Sequence, residues 1–234
     1  MRVKLWAGQV LAVCLVGLLL ASCGGKPATR VLFIGNSFTY YNRGIDKQLA
    51  KLTRSIQTSS ISEPGYTLEM HWTGGNAIKT IGEGGWAYVV LQEQSQTPVI
   101  DRAKFQEYVS DFNQVIEQNG AKTILLMTWE RPDSVAYGVT TANLAAAYDA
   151  VGTELGIKVA PVGLAFASAL QQRPDLVLYG TDGHPTMYGT YLAACVLYGT
   201  ITGHSPVGIA YADSSISPEV RDFFQRVAAQ SLGQ

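Results

Sequence analysis

The sequence predicts a three-layer α/β/α sandwich with a central parallel sheet, in one domain spanning residues 30–234. Three observations carry this. Short apolar runs without in/out alternation recur along the chain, as in "RVLFIG" (30–35) and "WAYVVLQ" (86–92). Amphipathic or Ala-rich segments of helical period separate them, and no linker, charge block or internal repeat divides the length. Strands apolar on both faces belong to a parallel sheet covered by helices on each side, wound right-handed by the crossover rule.

In chain order, the first strand (30–35) leads into a helix around "GIDKQLAKLTRSIQ" (44–57), then a short "SISEPGYTLEMHW" segment. The second strand is 86–92. In "DRAKFQEYVSDFNQVIEQNG", Phe105, Tyr108, Val109, Phe112, Val115 and Ile116 recur at helical spacing, and Gly120 stands as the stop. "KTILLMTW" (122–129) is the third strand, followed by the helical "TTANLAAAYDAVGTELG". "IKVAPVG" (157–163) is the fourth, and helices around 163–172, 186–202 and 217–230 complete the chain.

The N-terminus reads differently. Arg2 and Lys4 precede a long apolar run that ends at "ASCGGK", the pattern of a secretory signal peptide over residues 1–22. "LLASC" resembles a bacterial lipobox, in which Cys23 is lipidated and residues 23–29 form a tether; the alternative is an uncleaved membrane anchor. The expected protein is an exported lipoprotein, held on the periplasmic or cell-surface side of a membrane. Cleavage would remove two of the 17 Lys and Arg residues against 18 Asp and Glu, leaving no basic footprint for nucleic acid. Of the three cysteines, Cys14 and Cys23 fall in this region. Cys195, within "YLAACVLYG", is left without a disulfide partner and reads as a buried small hydrophobe.

Sites in such sheets form beyond the C-terminal strand ends. That directs attention to the loops after Gly35, Gln92, Trp129 and Pro161, joined by the polar "DGHP" near 182. Ser37 opens a strand-to-helix turn, where free backbone N–H groups favour negative charge. A serine hydroxyl needs a base. His184 lies in "TDGHPT" with Asp182 two residues before it, so the parts of a serine hydrolase occur in the order Ser, Asp, His. Three scattered histidines and no Cys pair make no metal site, and this chemistry needs no cofactor. His71 reads as packing or substrate contact, and His204 as a cap or surface residue. Trp129 and Glu130 end a strand at the catalytic edge, where the indole suits either sugar stacking or half-burial.

"VLFIGNSFT" resembles the first block of the SGNH, or GDSL-like, hydrolase superfamily, and "DGHPTMYGTYLAA" resembles its last. "EPGYTLEMHW", "WAYVVLQEQSQTPV", "LLMTWERP" and "VAPVGLAFA" are similar to intervening segments of a less-studied branch. The resemblance implies a flavodoxin-like sandwich with Ser37 as nucleophile, His184 as base and acid, and Asp182 orienting the histidine. It also implies an oxyanion hole from the N–H groups of Ser37 and Gly65 plus an Asn side chain in the third block. That Asn is missing: Gln92 or Gln94 can supply the amide, while Gln96 is the ungapped match. The acid also departs, because only Gly183 separates Asp182 from His184 and Thr181 holds the usual position. A backbone carbonyl is the alternative partner for the histidine.

The implied activity is serine ester hydrolysis, with acylated carbohydrate as the expected substrate and lipid esters or thioesters as alternatives. A flavodoxin-like phosphate cradle would leave "DGHP" without a role, and no Gly-x-Ser-x-Gly elbow occurs. A non-catalytic glycan-binding lipoprotein on a hydrolase scaffold is the remaining rival.

Overall fold

The chain runs through β1 (Thr29–Gly35), α1 (Ser37–Tyr40), α2 (Ile45–Leu52), β2 (Ile56–Ser62), α3 (Leu68–Gly74), α4 (Asn76–Gly82) and β3 (Tyr88–Leu91). It continues through α5 (Thr97–Ile100), α6 (Arg102–Gln118), β4 (Lys122–Leu126), α7 (Thr141–Leu155) and β5 (Lys158–Ala160). Three helices finish it: α8 (Val162–Gln172), α9 (Met187–Thr202) and α10 (Pro218–Ser231). The structure, a computed structural model, describes residues 27–234. The expected signal segment (1–22), Cys23 and the start of the tether lie outside the described residues. No helix among those described is long and apolar enough to cross a membrane.

All five strands pair in parallel, in the order β2-β1-β3-β4-β5. Successive β1 residues serve opposite cores. Val31 and Phe33 pack with α2, α8, α9 and α10, whereas Leu32 and Ile34 pack with α3, α4, α6 and α7. All four are essentially inaccessible, which is why the run shows no alternation of apolar and polar residues. On α6, Phe105, Val109, Phe112 and Ile116 are buried as their period requires, and the Asp101 carboxylate caps the helix by accepting the Lys104 N–H.

The sheet has one more strand than the apolar runs predict. The helix expected over 44–57 ends at Leu52, because Thr53 turns extended and its hydroxyl accepts the Ser55 N–H, a local bond that competes with the helix ladder. The chain then forms β2 at the sheet edge. "IQTSSIS" buries only Ile56, so it carries no hydrophobic run to read.

The strand order reverses direction at β1, with β2 on one side and β3 on the other. The crevice beyond the C-terminal ends of β1 and β3 is the topological switch point, where such folds place their sites.

Candidate active site

β1 ends in a turn bound from three sides. An added Cβ at Gly35 would fall 2.5 Å from Thr39 Oγ1 and 2.7 Å from Gln92 Oε1, so this position takes only glycine. Asn36, extended at φ −134°, caps α1: its Oδ1 accepts the Phe38 N–H at 3.0 Å. Its Nδ2 donates to the Tyr66 carbonyl at 2.9 Å, and its backbone N–H donates to Gln92 Oε1 at 2.9 Å. Ser37 is therefore set on a rigid corner, with its own N–H at the helix start lacking an acceptor among the described residues.

His184 meets it from the far end of the chain: Nε2 lies 2.8 Å from Ser37 Oγ. The imidazole is packed on two sides. Tyr41 stacks on its face with centroids 4.0 Å apart and planes 18° from parallel, and Phe38 presents an edge at 5.6 Å. The histidine turn is pinned from β4's loop, where Trp129 Nε1 donates to the Gly183 carbonyl at 3.2 Å and Arg131 Nη1 to that of Asp182 at 3.3 Å. Gly183 has φ +79°, and a Cβ there would fall 2.1 Å from Arg131 Cδ. On the other side, Asn42 Nδ2 donates to the Pro185 carbonyl. Asn42 and Arg43 sit in the left-handed region at φ 47° and 69°, an uncommon state held by that bond and by a 2.6 Å ion pair from Arg43 to Asp213.

Asp182 is near but poorly aimed. Its Oδ2 lies 2.9 Å from His184 Nδ1, and its Oδ1 accepts the His184 backbone N–H at 3.1 Å. The two His184 groups, side chain first, hold the Asp182 carboxyl below the usual range. Yet the approach is off-line, so Nδ1 has no acceptor in hydrogen-bond geometry among the described residues. The short Asp-Gly-His spacing explains this, since the carboxylate bends back onto its own turn. Its side chain is also 58% exposed. Exposed ion pairs are worth about 0–1 kcal/mol, so Asp182→Ala should lower kcat/KM on a neutral ester by less than about tenfold. A loss as large as that of His184→Ala would show that the carboxylate swings into line during turnover.

The glutamines separate clearly. Gln92 is 1% exposed, and both ends of its amide are committed: Oε1 to the Asn36 N–H and the Thr39 hydroxyl, Nε2 to the Glu93 carbonyl at 2.6 Å. This corrects its candidacy as an oxyanion donor: it lies outside the cavity lining and braces the turn that carries Ser37. Gln96 stands outside the cavity wall, its N–H donating to Gln94 Oε1. Gln94 lines the cavity beside Ser37 and Gly65. Its Oε1 accepts the N–H groups of Gln96 and Thr97 at 2.8 and 3.2 Å, and its NH₂ has no acceptor among the described residues. The Gly65 N–H likewise has no acceptor among the described residues.

The other expectations resolve into support. Trp129 is 1% exposed, sandwiched between Phe38 and Phe166 at 4.5 and 4.4 Å, so it offers no face to a sugar. Glu130 Oε2 accepts the Thr141 N–H at 2.6 Å at the start of α7. His71 is buried outside the cavity with Nε2 2.6 Å from the Gly35 carbonyl, and burial holds its pKa below the ordinary value. His204 is exposed just after α9. Cys195 is fully buried, which pushes its thiol up to about 12. Sequence reasoning missed Glu93, a carboxyl that burial raises to about 7 while it accepts the N–H groups of Leu68 and Gln94. It missed Tyr41 and Arg131 as well, because only the fold brings them to the histidine.

No family model and no curated protein matches the sequence. Solved structures do. A protein from Slackia heliotrinireducens assigned to the SGNH hydrolases is 26% identical, with a TM-score of 0.67 over 74% of this chain and 99% of that one. A DUF4886 family protein from Bacteroides uniformis superposes at a TM-score of 0.74, covering 88% of this chain and 95% of the other at 18% identity. A member of the lipolytic protein G-D-S-L family from Veillonella parvula gives 0.62 at 14% identity, over 75% and 99% of the two chains. The last two likenesses are of fold. With a parallel 2-1-3-4-5 sheet, a serine on the turn after β1 and a histidine 2.8 Å from it, the chain belongs to the SGNH/GDSL-like hydrolase superfamily, as a serine hydrolase of the esterase type.

Proposed function

We propose that the protein removes short acyl groups, foremost acetyl, from carbohydrate on the outer side of a bacterial membrane, held there by a lipid on Cys23. The observation that carries the chemistry is the 2.8 Å contact between Ser37 Oγ and His184 Nε2. His184 takes the hydroxyl proton as Oγ attacks the ester carbonyl. The N–H groups of Ser37 and Gly65 and the Gln94 amide stabilise the oxyanion. Protonated His184 then gives its proton to the leaving alcohol, and the neutral ring activates water to free the acid. Asp182 contributes charge near Nδ1, while the Tyr41 face and the pinned turn supply most of the orientation.

The cavity supports a small acyl group. It is about 140 Å³ and is lined largely by polar side chains and backbone, including Asn36, Gly65, Gln94 and Arg131, with Phe38 the one large apolar side chain in its wall among the described residues. Tyr41 and Tyr66 near the site are more than a third exposed, and such rings suit sugar faces. The export and anchoring reading rests on the N-terminal sequence.

The test is hydrolysis of 4-nitrophenyl acetate, butyrate and octanoate, together with acetylated oligosaccharides. Turnover should fall steeply with acyl length, and acetate should be released from the sugars. Octanoate preferred over acetate would move the assignment to a lipid esterase. No turnover of any ester would favour the glycan-binding scaffold. Gln94→Ala should lower kcat by about 10²-fold, the cost of one oxyanion donor, with KM little changed. An unchanged kcat would remove Gln94 from the oxyanion hole.

A further inference from the structure

Among the described residues, Arg131 is the one permanent cation in the wall of the cavity that holds Ser37 and His184. Its side chain is only 14% exposed. A guanidinium offers five N–H donors in a fixed fork. Here they are under-used. Nη1 reaches the Asp182 carbonyl at 3.3 Å, and Nη2 lies 3.2 Å from Asp133, whose side chain is 61% exposed. Charge-assisted bonds of this kind normally measure about 2.7–2.9 Å. Nε is shut off from solvent and has no acceptor among the described residues. Leaving such a donor unmade costs about 1–3 kcal/mol.

Support of the histidine turn does not account for the charge. The stem packs on Gly183 and one N–H holds the Asp182 carbonyl, and an uncharged donor of similar length would do both. The nearby carboxylates do not neutralise it well either. Asp133 is solvated, where pairing is weak, and Asp182 is turned toward His184 and more than half exposed. Positive charge is left over a small, partly closed cavity next to the nucleophile, which concentrates an anion there.

We infer that Arg131 binds a carboxylate carried on the alcohol side of the ester, so that the substrate is an acylated acidic sugar of the uronic acid type. The planar fork matches a carboxylate held bidentately, and its place beside His184 puts that carboxylate next to the departing alcohol. This rests on the ester-hydrolase reading above and narrows its substrate.

Two matched pairs test it: mono-O-acetylated methyl glucuronosides against their uronamides, and 3-acetoxybenzoate against 3-acetoxybenzamide. Each pair keeps the acetyl group and changes only the charge. In the wild type, kcat/KM should favour the acid by at least about tenfold for one pair or more, and about 0.5 M salt should shrink the preference. Arg131→Gln should bring the ratio to within about twofold whatever happens to the absolute rates, and Arg131→Lys should retain part of it. Should Arg131→Gln fail to fold, the wild type still answers: free methyl glucuronoside should inhibit 4-nitrophenyl acetate hydrolysis at lower concentration than its amide. Equal rates for acid and amide in every pair, or a preference that survives Arg131→Gln, would overturn the inference alone. Absence of turnover on 4-nitrophenyl acetate as well would overturn the ester-hydrolase reading beneath it.

Discussion

Ser37→Ala is expected to lower ester turnover by about 10⁴-fold or more while the protein unfolds at nearly the wild-type temperature. The hydroxyl's only side-chain partner among the described residues is His184, and Asn36, not Ser37, caps α1, so its removal should cost little stability. His184→Ala should cost about as much, and the double variant no more than either single one, because the two groups act as one proton-transfer unit. A fluorophosphonate probe should label the wild type in one position and leave Ser37→Ala unlabelled. Labelling at another serine, or additive losses in the double variant, would dissolve the pair.

Trp129→Ala should be the most damaging single change to the fold among the residues around the site. The indole fills the space between Phe38 and Phe166 and is 1% exposed, and truncating such a side chain costs about 3–5 kcal/mol. For a domain of this size that corresponds to a fall in unfolding temperature of roughly 10 °C. Activity should fall further than the folded fraction. Phe38 follows the nucleophile directly, and the lost Nε1–H releases the Gly183 carbonyl, so both partners of the 2.8 Å contact lose a support. Trp129→Phe restores packing without the donor and should recover most of the stability but less of the rate. Calorimetry with kcat measured below the transition separates the two; equal recovery of both would deny the hydrogen bond a role.

Much of this was legible from sequence because burial writes itself into composition. β1 and β3 sit between two helical layers, so both faces had to be apolar and the runs stood out. β2 did not, since an edge strand with solvent on one side can be built from Thr and Ser. Ser37 and His184 were legible because each opens or precedes a helix in a short block with its own turn chemistry. The residues that place them were not. The Gln92 amide braces Asn36 across 56 positions, and Trp129 reaches Gly183 across 54. No local pattern encodes such pairs. The same holds for Gln92 and Gln94, which are interchangeable as letters and differ only in where their carbonyls are bound.

Asn36 joins two things that could have been separate. Through Gln92 and the Phe38 N–H it holds the nucleophile turn, and through the Tyr66 carbonyl it holds the loop that carries Gly65. The N–H groups of Ser37 and Gly65, the two backbone donors proposed for the oxyanion, are therefore expected to shift as a unit. For anyone reshaping this enzyme, the practical map divides in two. Residues 35–37, 65–66 and 92 form a frame in which substitutions will interact strongly and unpredictably in combination. Gln94, Arg131 and Tyr41 stand at its rim, where a single change can be read against one proposed role each: oxyanion donor, carboxylate partner and stacking face for His184.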